Sequence, residues 1–340
     1  MPTLHTATPP GRPRIGLALG SGGARGWAHL GVLRRLQELQ VPIDCVAGTS
    51  IGAIMGAALA ANRLPVLEEL THQLDWRRVA KLVLEGGFPR TGLLSGKFIE
   101  QLLRAVLELR HIEELTIPYA AVAANLQTGQ PTIFTSGDIV EAVRASIAIP
   151  GIFVPARSDD QYLVDGGTIN PLPIEVARAL GAEIVIAVDV NLGPGRGLPP
   201  DPQTPRHVAP ATAHAVAAIL HQLGEPRPVH GAVAQAIHRW FARETAGLSI
   251  FDVLTRSARI AENQNTHHLL QLHPPTLLIQ PAVGDIETLE FNLALHAMAA
   301  GRQAVDDSQP QLLALCHQCA ANQSGPDPIS TSSGTPRSKA

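Results

Sequence analysis

Ser50 stands in Gly48-Thr49-Ser50-Ile51-Gly52, between an apolar run, Ile43-Asp44-Cys45-Val46-Ala47, and an unbroken stretch of small residues from Ile51 to Ala61. The first run reads as a buried strand and the second as a helix. A serine between glycines at a strand-to-helix turn has the context of a nucleophile elbow. The glycines supply backbone angles and close approach that a Cβ would resist, and the positive end of the helix favours a developing oxyanion. Such a serine is expected to be exposed on top of a sheet. The same pentapeptide also suits an ordinary helix start, with Ser50 as its N-cap.

Two further stretches bear on that choice. Gly20-Ser21-Gly22-Gly23-Ala24-Arg25-Gly26 follows a non-alternating apolar strand, Arg14 to Leu19, and precedes a helix from Trp27 to Gln40. As a dinucleotide loop it lacks the sixth-position glycine, where Arg25 stands, and as a phosphate loop it lacks the terminal Gly-Lys-Ser/Thr. As an oxyanion hole it asks only for consecutive N–H groups free of side chains, which Gly22, Gly23 and Ala24 offer. A plain tight turn remains an alternative for the loop alone. The third stretch, Tyr162-Leu163-Val164-Asp165-Gly166-Gly167, ends an apolar strand in an acid and two glycines, so the carboxylate projects at the sheet's edge. An Asp-Gly turn is common by itself. It gains weight in company with Ser50.

The elements that must position these residues read as an α/β chain. Strand, Gly-rich loop, helix, strand, elbow and helix open a parallel sheet with right-handed crossovers. Further strands are expected at Tyr119 to Leu126, Pro131 to Thr135, Glu183 to Val190 and Thr276 to Gln280. Further helices are expected at Leu64 to Leu84, Gly96 to Leu109, Ile139 to Ser146 behind an Asp138 cap, Pro173 to Leu180, Gly247 to Leu270 and Leu289 to Ala304. Within the first of these, Leu74 to Val83 mixes basic and apolar residues, which suits a cap over the sheet or a membrane surface. Asp189, at a strand end, is open to a functional role, although strand-end acids are often solvated.

At 340 residues, 45% hydrophobic and 16% charged, the chain can bury a large core. A net charge of −3 gives no footprint for nucleic acid. Cys45, Cys316 and Cys319 cannot build a disulfide framework, which fits a reducing compartment, and Cys316-His317-Gln318-Cys319 is only half of a zinc site. No metal or cofactor is expected. Met1 to Pro13 reads as a flexible lead without the apolar core of a secretory signal, and the longest apolar run falls short of the roughly 20 residues that span a bilayer. The expected location is therefore cytoplasmic, with peripheral contact at the inner face of the membrane as its one route to lipid. Residues 14–310 are expected to form one domain with a Pro- and His-rich insert at about 191–240, and 320–340 a disordered tail. His207, His214, His221, His230 and His238 lack ligand-type spacing and read as surface residues.

Taken in order, the Gly20–Gly26, Gly48–Gly52 and Asp165–Gly167 boxes resemble the three hallmark motifs of the patatin-like phospholipases. Lesser stretches are similar to the bacterial, RssA-type branch related to neuropathy target esterase: Ala28 to Leu33, Ala124 to Gly129, Ala145 to Phe153 and Asn170 to Pro173. The resemblance covers roughly Arg14 to Ala304. It implies a three-layer α/β/α fold with a mainly parallel sheet and a serine elbow, acting on phospholipid, lysophospholipid or another acyl ester. It makes Ser50 the nucleophile, Asp165 the base of a Ser–Asp dyad, and Gly22, Gly23 and Ala24 the oxyanion loop. Arg25, Gly48, Gly52, Gly166 and Gly167 support them. The loop opens Gly20-Ser21 where plant patatin has Asp-Gly, a change that the bacterial branch shares. Three rivals stand beside this reading: a Ser-Asp-His triad using a late histidine such as His207, a non-catalytic acyl-binding or regulatory module, and a dinucleotide enzyme.

Overall fold

The structure is a computed structural model, and it describes residues 12–73, 96–191 and 250–321. The readings made for Met1 to Gly11, for Leu74 to Ser95, for most of the 191–240 insert with its five histidines, and for the tail beyond residue 321 lie outside those residues.

The chain opens with β1 (Ile15–Leu19), a 3-10 turn (Gly23–Gly26), α1 (Trp27–Glu38), β2 (Cys45–Thr49), α2 (Ile51–Ala60) and α3 (Leu64–Gln73). After α4 (Lys97–Leu107) come β3 (Tyr119–Asn125), β4 (Pro131–Phe134) and α5 (Ile139–Ser146), then the hairpin of β5 (Ala156–Ser158) and β6 (Gln161–Asp165). The remainder is α6 (Ile174–Ala179), β7 (Ile184–Val188), α7 (Ile250–Leu272), β8 (Leu277–Ile279), α8 (Ala294–Asp307) and α9 (Gln309–Ala321). Asp138 caps α5 as its sequence predicts, accepting from the N–H groups of Val140 and Glu141 at 2.8 and 3.0 Å. The helix expected at Leu289 to Ala304 is followed by a further one, α9, which Ser308 and Pro310 mark off from α8 and which runs to Ala321.

The eight strands form one mixed sheet, parallel in the ladders β1–β2, β1–β7, β2–β3 and β7–β8, and antiparallel where β3 meets β4 and β6 and where β5 meets β6. The central strands are buried on both faces, which is why they read as continuous apolar runs rather than alternations. Successive side chains nevertheless go to opposite faces. Ile15, Leu17, Leu19, Val46, Tyr119 and Ile186 pack with α1, α2, α4, α5 and α8; Ala18, Cys45, Ala47, Val122 and Val185 pack with α6 and with Leu270 of α7. Helices therefore cover both faces, and the three layers are as expected.

One detail of the sheet brings two distant stretches together. On β3, β4 pairs with Ala121 to Ala124, β2 with Tyr119 to Val122, and β6 with Asn125 to Ala123. Because β4 overlaps both others, β2 and β6 must share the opposite edge of β3, running toward each other. Thr49 pairs with Val122 and Asp165 with Ala123, so the two strands end at consecutive positions.

Candidate active site

Where β2 and β6 meet, Ser50 Oγ donates to Asp165 Oδ2 at 2.5 Å. Both residues are 4% exposed, so the serine is not exposed as an open elbow would be. It is enclosed because β6 and the C-terminal end of α5 close over the end of β2. Ser50 has φ 57° and ψ −125°, a conformation that costs a non-glycine residue roughly 1–3 kcal/mol and persists only where its surroundings impose it. The imposing contacts are visible. Ser50 N–H donates to Ser146 Oγ at 2.8 Å, and Ser146 in turn donates to Val122 O at 2.6 Å. The flanking glycines are sterically required: a Cβ on Gly52 would lie 2.2 Å from Leu19 O, and one on Gly48 would lie 2.3 Å from Gly52 O.

Asp165 is held by three neighbours. Its N–H donates to Ala148 O at 2.9 Å, its Oδ1 accepts from Gly167 N–H at 2.7 Å, and its Oδ2 faces the serine. Burial, reinforced by the nearby Glu262 carboxylate, pushes the acid up to about 7, against the two hydrogen bonds that favour its ionised form. A carboxylate so poised is a competent proton acceptor near neutral pH. Gly166 lies against Val122 O, with no room for a side chain.

The Gly-rich loop comes off β1 beside them. Gly20 N–H and Ser21 N–H are spent on Val188 O and Pro171 O, and Ala24 N–H donates to Thr288 O at 2.9 Å. Of the three N–H groups suggested by the sequence, those of Gly22 and Gly23 have no partner among the described residues; that of Ala24 is engaged because Thr288 fills the space beside Gly23, whose φ is 56°. Arg25 is 1% exposed and ties the loop down from beneath, donating to Ile286 O at 3.0 Å and to Asn191 Oδ1 at 2.8 Å. Burial lowers it to about 10, which leaves it charged at neutral pH. His29 is fully buried and, lowered to about 4 by desolvation, is neutral; it donates from Nε2 to Gly20 O at 2.8 Å.

Several groups at the site carry no short-range sequence signal. Glu262 of α7 accepts from Ser21 Oγ and from Asn191 Nδ2, each at 3.0 Å, and Asn191 Nδ2 also reaches Ser21 Oγ at 2.9 Å. Asp189 is not solvated, as its strand-end position suggested. It is 3% exposed and accepts from Asn191 N–H and Gln280 Nε2. Cys45 is free and buried in the sheet, its thiol pushed up to about 11, so it is an inert core residue. Among the described residues no three His, Cys, Asp or Glu side chains gather as a metal site, and no helix is long and apolar enough to cross a membrane.

A serine–aspartate pair thus sits at a strand-to-helix turn beside a glycine loop. The patatin-like phospholipase family model matches residues 17–178, a span that carries all three motifs. An uncharacterized NTE family protein of Mycobacterium tuberculosis is 35% identical over 327 residues, covering 85% of this chain and 89% of that one. Patatin-like phospholipase domain-containing protein 7 of mouse is 38% identical over 183 residues, 52% of this chain and 14% of the mouse protein. The chain belongs to the patatin-like phospholipase family.

Proposed function

We propose that the chain is a lipid acyl hydrolase that works through a Ser50–Asp165 dyad. The observation that carries this reading is the 2.5 Å hydrogen bond between the strained serine and a buried acid poised near neutrality. Ser50 Oγ attacks the ester carbonyl carbon while Asp165 takes the hydroxyl proton. The carbonyl oxygen becomes the tetrahedral oxyanion, stabilised by the N–H groups of Gly22 and Gly23. Collapse expels the alcohol, which receives the proton from Asp165 and leaves an acyl ester on Ser50. Water, deprotonated by Asp165, attacks that ester; the second tetrahedral intermediate collapses, Asp165 returns the proton to Ser50 Oγ, and the fatty acid leaves. His29 and Arg25 hold the loop so that its two open N–H groups are fixed before substrate arrives. The phospholipid, lysophospholipid or other acyl ester substrate, and peripheral contact with a membrane, are parts of this proposal that rest on the family alone, as is the single hydrolase domain over residues 14–310.

The test is hydrolysis of a p-nitrophenyl acyl ester series and of phospholipid and lysophospholipid vesicles by wild type, Ser50→Ala and Asp165→Asn, with folding checked by circular dichroism. Ser50→Ala should lose about 10⁴-fold or more and Asp165→Asn about 10²–10⁴-fold of kcat/KM. A folded wild type inert on all of these substrates would instead make the chain a non-catalytic acyl-binding module.

A further inference from the structure

Glu262 is a second carboxylate at the dyad, brought in by α7 from far along the chain. The point where a Cβ on Gly167 would stand lies 2.8 Å from Glu262 Oε1, 3.0 Å from Asp165 Oδ1 and 3.1 Å from Ser21 Cβ. The two carboxylates therefore flank the same glycine side by side. Glu262 Oε2 closes a triangle with Ser21 Oγ and Asn191 Nδ2, with sides of 2.9 to 3.0 Å, and Asn191 Oδ1 accepts from Arg25. One side chain thus touches the first residues of the glycine loop and faces the acid.

The charges around this point come from five parts of the fold. Asp165 faces Glu262, and Glu262 in turn feels Arg25 of the loop and Arg259 of α7. Asp189, after β7, and Glu287, before α8, act on Arg25. Burial raises the Glu262 carboxyl above its ordinary range, and Arg25, the Ser21 and Asn191 donors and Arg259 offset part of that rise. The carboxylate that those donors hold lies beside Asp165 at Gly167. A like charge beside a buried acid makes that acid a stronger base.

We infer that Glu262 is a positioning residue of the dyad, a second carboxylate set beside Asp165 at Gly167 that fixes the glycine loop through Ser21 and Asn191. The role goes beyond the dyad itself and rests on the reading of Asp165 as the base.

The experiment follows the Asp165 carboxyl directly, by ¹³C NMR titration of aspartate-labelled wild type, Glu262→Gln and Glu262→Asp, with the resonance assigned through its absence in Asp165→Asn. The kcat/KM profile against pH for a p-nitrophenyl ester is recorded in parallel. Glu262→Gln keeps an acceptor for Ser21 and Asn191 but removes the charge. Its Asp165 midpoint should fall by about 1 pH unit, the acid limb of the rate profile should move with it, and the plateau should drop several-fold. Glu262→Asp keeps the charge and should titrate close to wild type. An unchanged midpoint in Glu262→Gln, or one that moves as far in Glu262→Asp, overturns the inference. If the midpoint shifts as expected while wild type shows no Ser50-dependent turnover, the electrostatic role stands and the hydrolase reading fails.

Discussion

At the scale of single residues, Asp165 has to satisfy two demands that conflict. It must be buried to gain basicity, and a buried carboxylate weakens the fold at any pH where it is ionised. Its folded-state value of about 7 lies above the ordinary 3.8. The sign follows. Below pH 3.8 the group is protonated in both states and its contribution to stability is fully present; between 3.8 and 7 that contribution is lost as pH rises, and above 7 the loss is complete. Asp165→Asn can still accept from Gly167 through Oδ1 and can donate to Ser50 from Nδ2. It should therefore melt higher than wild type at pH 8, with the difference vanishing below about pH 4; equal melting curves at pH 8 would contradict the raised value. The wild-type rate should show the same group from the other side, with kcat/KM falling tenfold per unit below a midpoint near 7. Ser50 and Asp165 are legible in the sequence because the chemistry needs glycines beside them, and glycines leave a pattern. Glu262 leaves none: it meets Ser21 across 241 residues, and nothing around it on α7 distinguishes it from any other helix acid.

At the scale of elements, the site exists because β2 and β6 run head to head along one edge of β3, and Ser146 is the pin that joins them to α5. Its hydroxyl takes the Ser50 N–H and gives its proton to Val122 O in a fully buried position. Ser146→Ala leaves both backbone groups unpaired, which should cost about 1–3 kcal/mol per group in denaturant unfolding. Because the freed Ser50 can then relax from its positive φ, kcat should fall more than the residual stability would explain. A loss of stability with kcat unchanged would show that the serine's conformation is fixed by the glycines alone. The central strands were readable from their apolar runs and the α5 cap from Asp138, whereas β5, Ala156–Ser158, has no such run. The shared edge on β3 was not, because each pairing spans tens of residues and the order of strands in a sheet is a property of tertiary contact. The polar hairpin at Ser158-Asp159-Asp160 marks the reversal into β6 but does not say which edge β6 will take.

At the scale of the whole molecule, the three motifs lie within residues 17–178, but several of the parts that hold the glycine loop do not. β1, which delivers that loop, is paired along its full length with β7, and Gly20 continues that pairing through Val188 O. Beside Pro171 and His29, the loop is anchored by Asn191, Glu262, Ile286 and Thr288, and these four lie beyond the matched span. Helix α8 locks α1 at a distance only glycine permits: a Cβ on Gly31 would lie 2.0 Å from Met298 O, and one on Gly301 2.0 Å from Ala28 O. Ion pairs from Arg35 to Asp306 and from Arg302 to Glu38 border that contact. Arg25, one of the largest fully buried side chains among the described residues, would lose both of its hydrogen-bond acceptors if the chain stopped after α6, leaving an uncompensated guanidinium in the core. A fragment of residues 12–180, which contains every recognisable motif, should therefore lack a cooperative unfolding transition and ester turnover. Gly301→Val in the full chain should fold less stably by a few kcal/mol, on the order of a severe overpacking substitution. Calorimetry of the fragment decides the point, because a cooperative melt with Ser50-dependent activity would mean that the C-terminal half decorates the site rather than builds it.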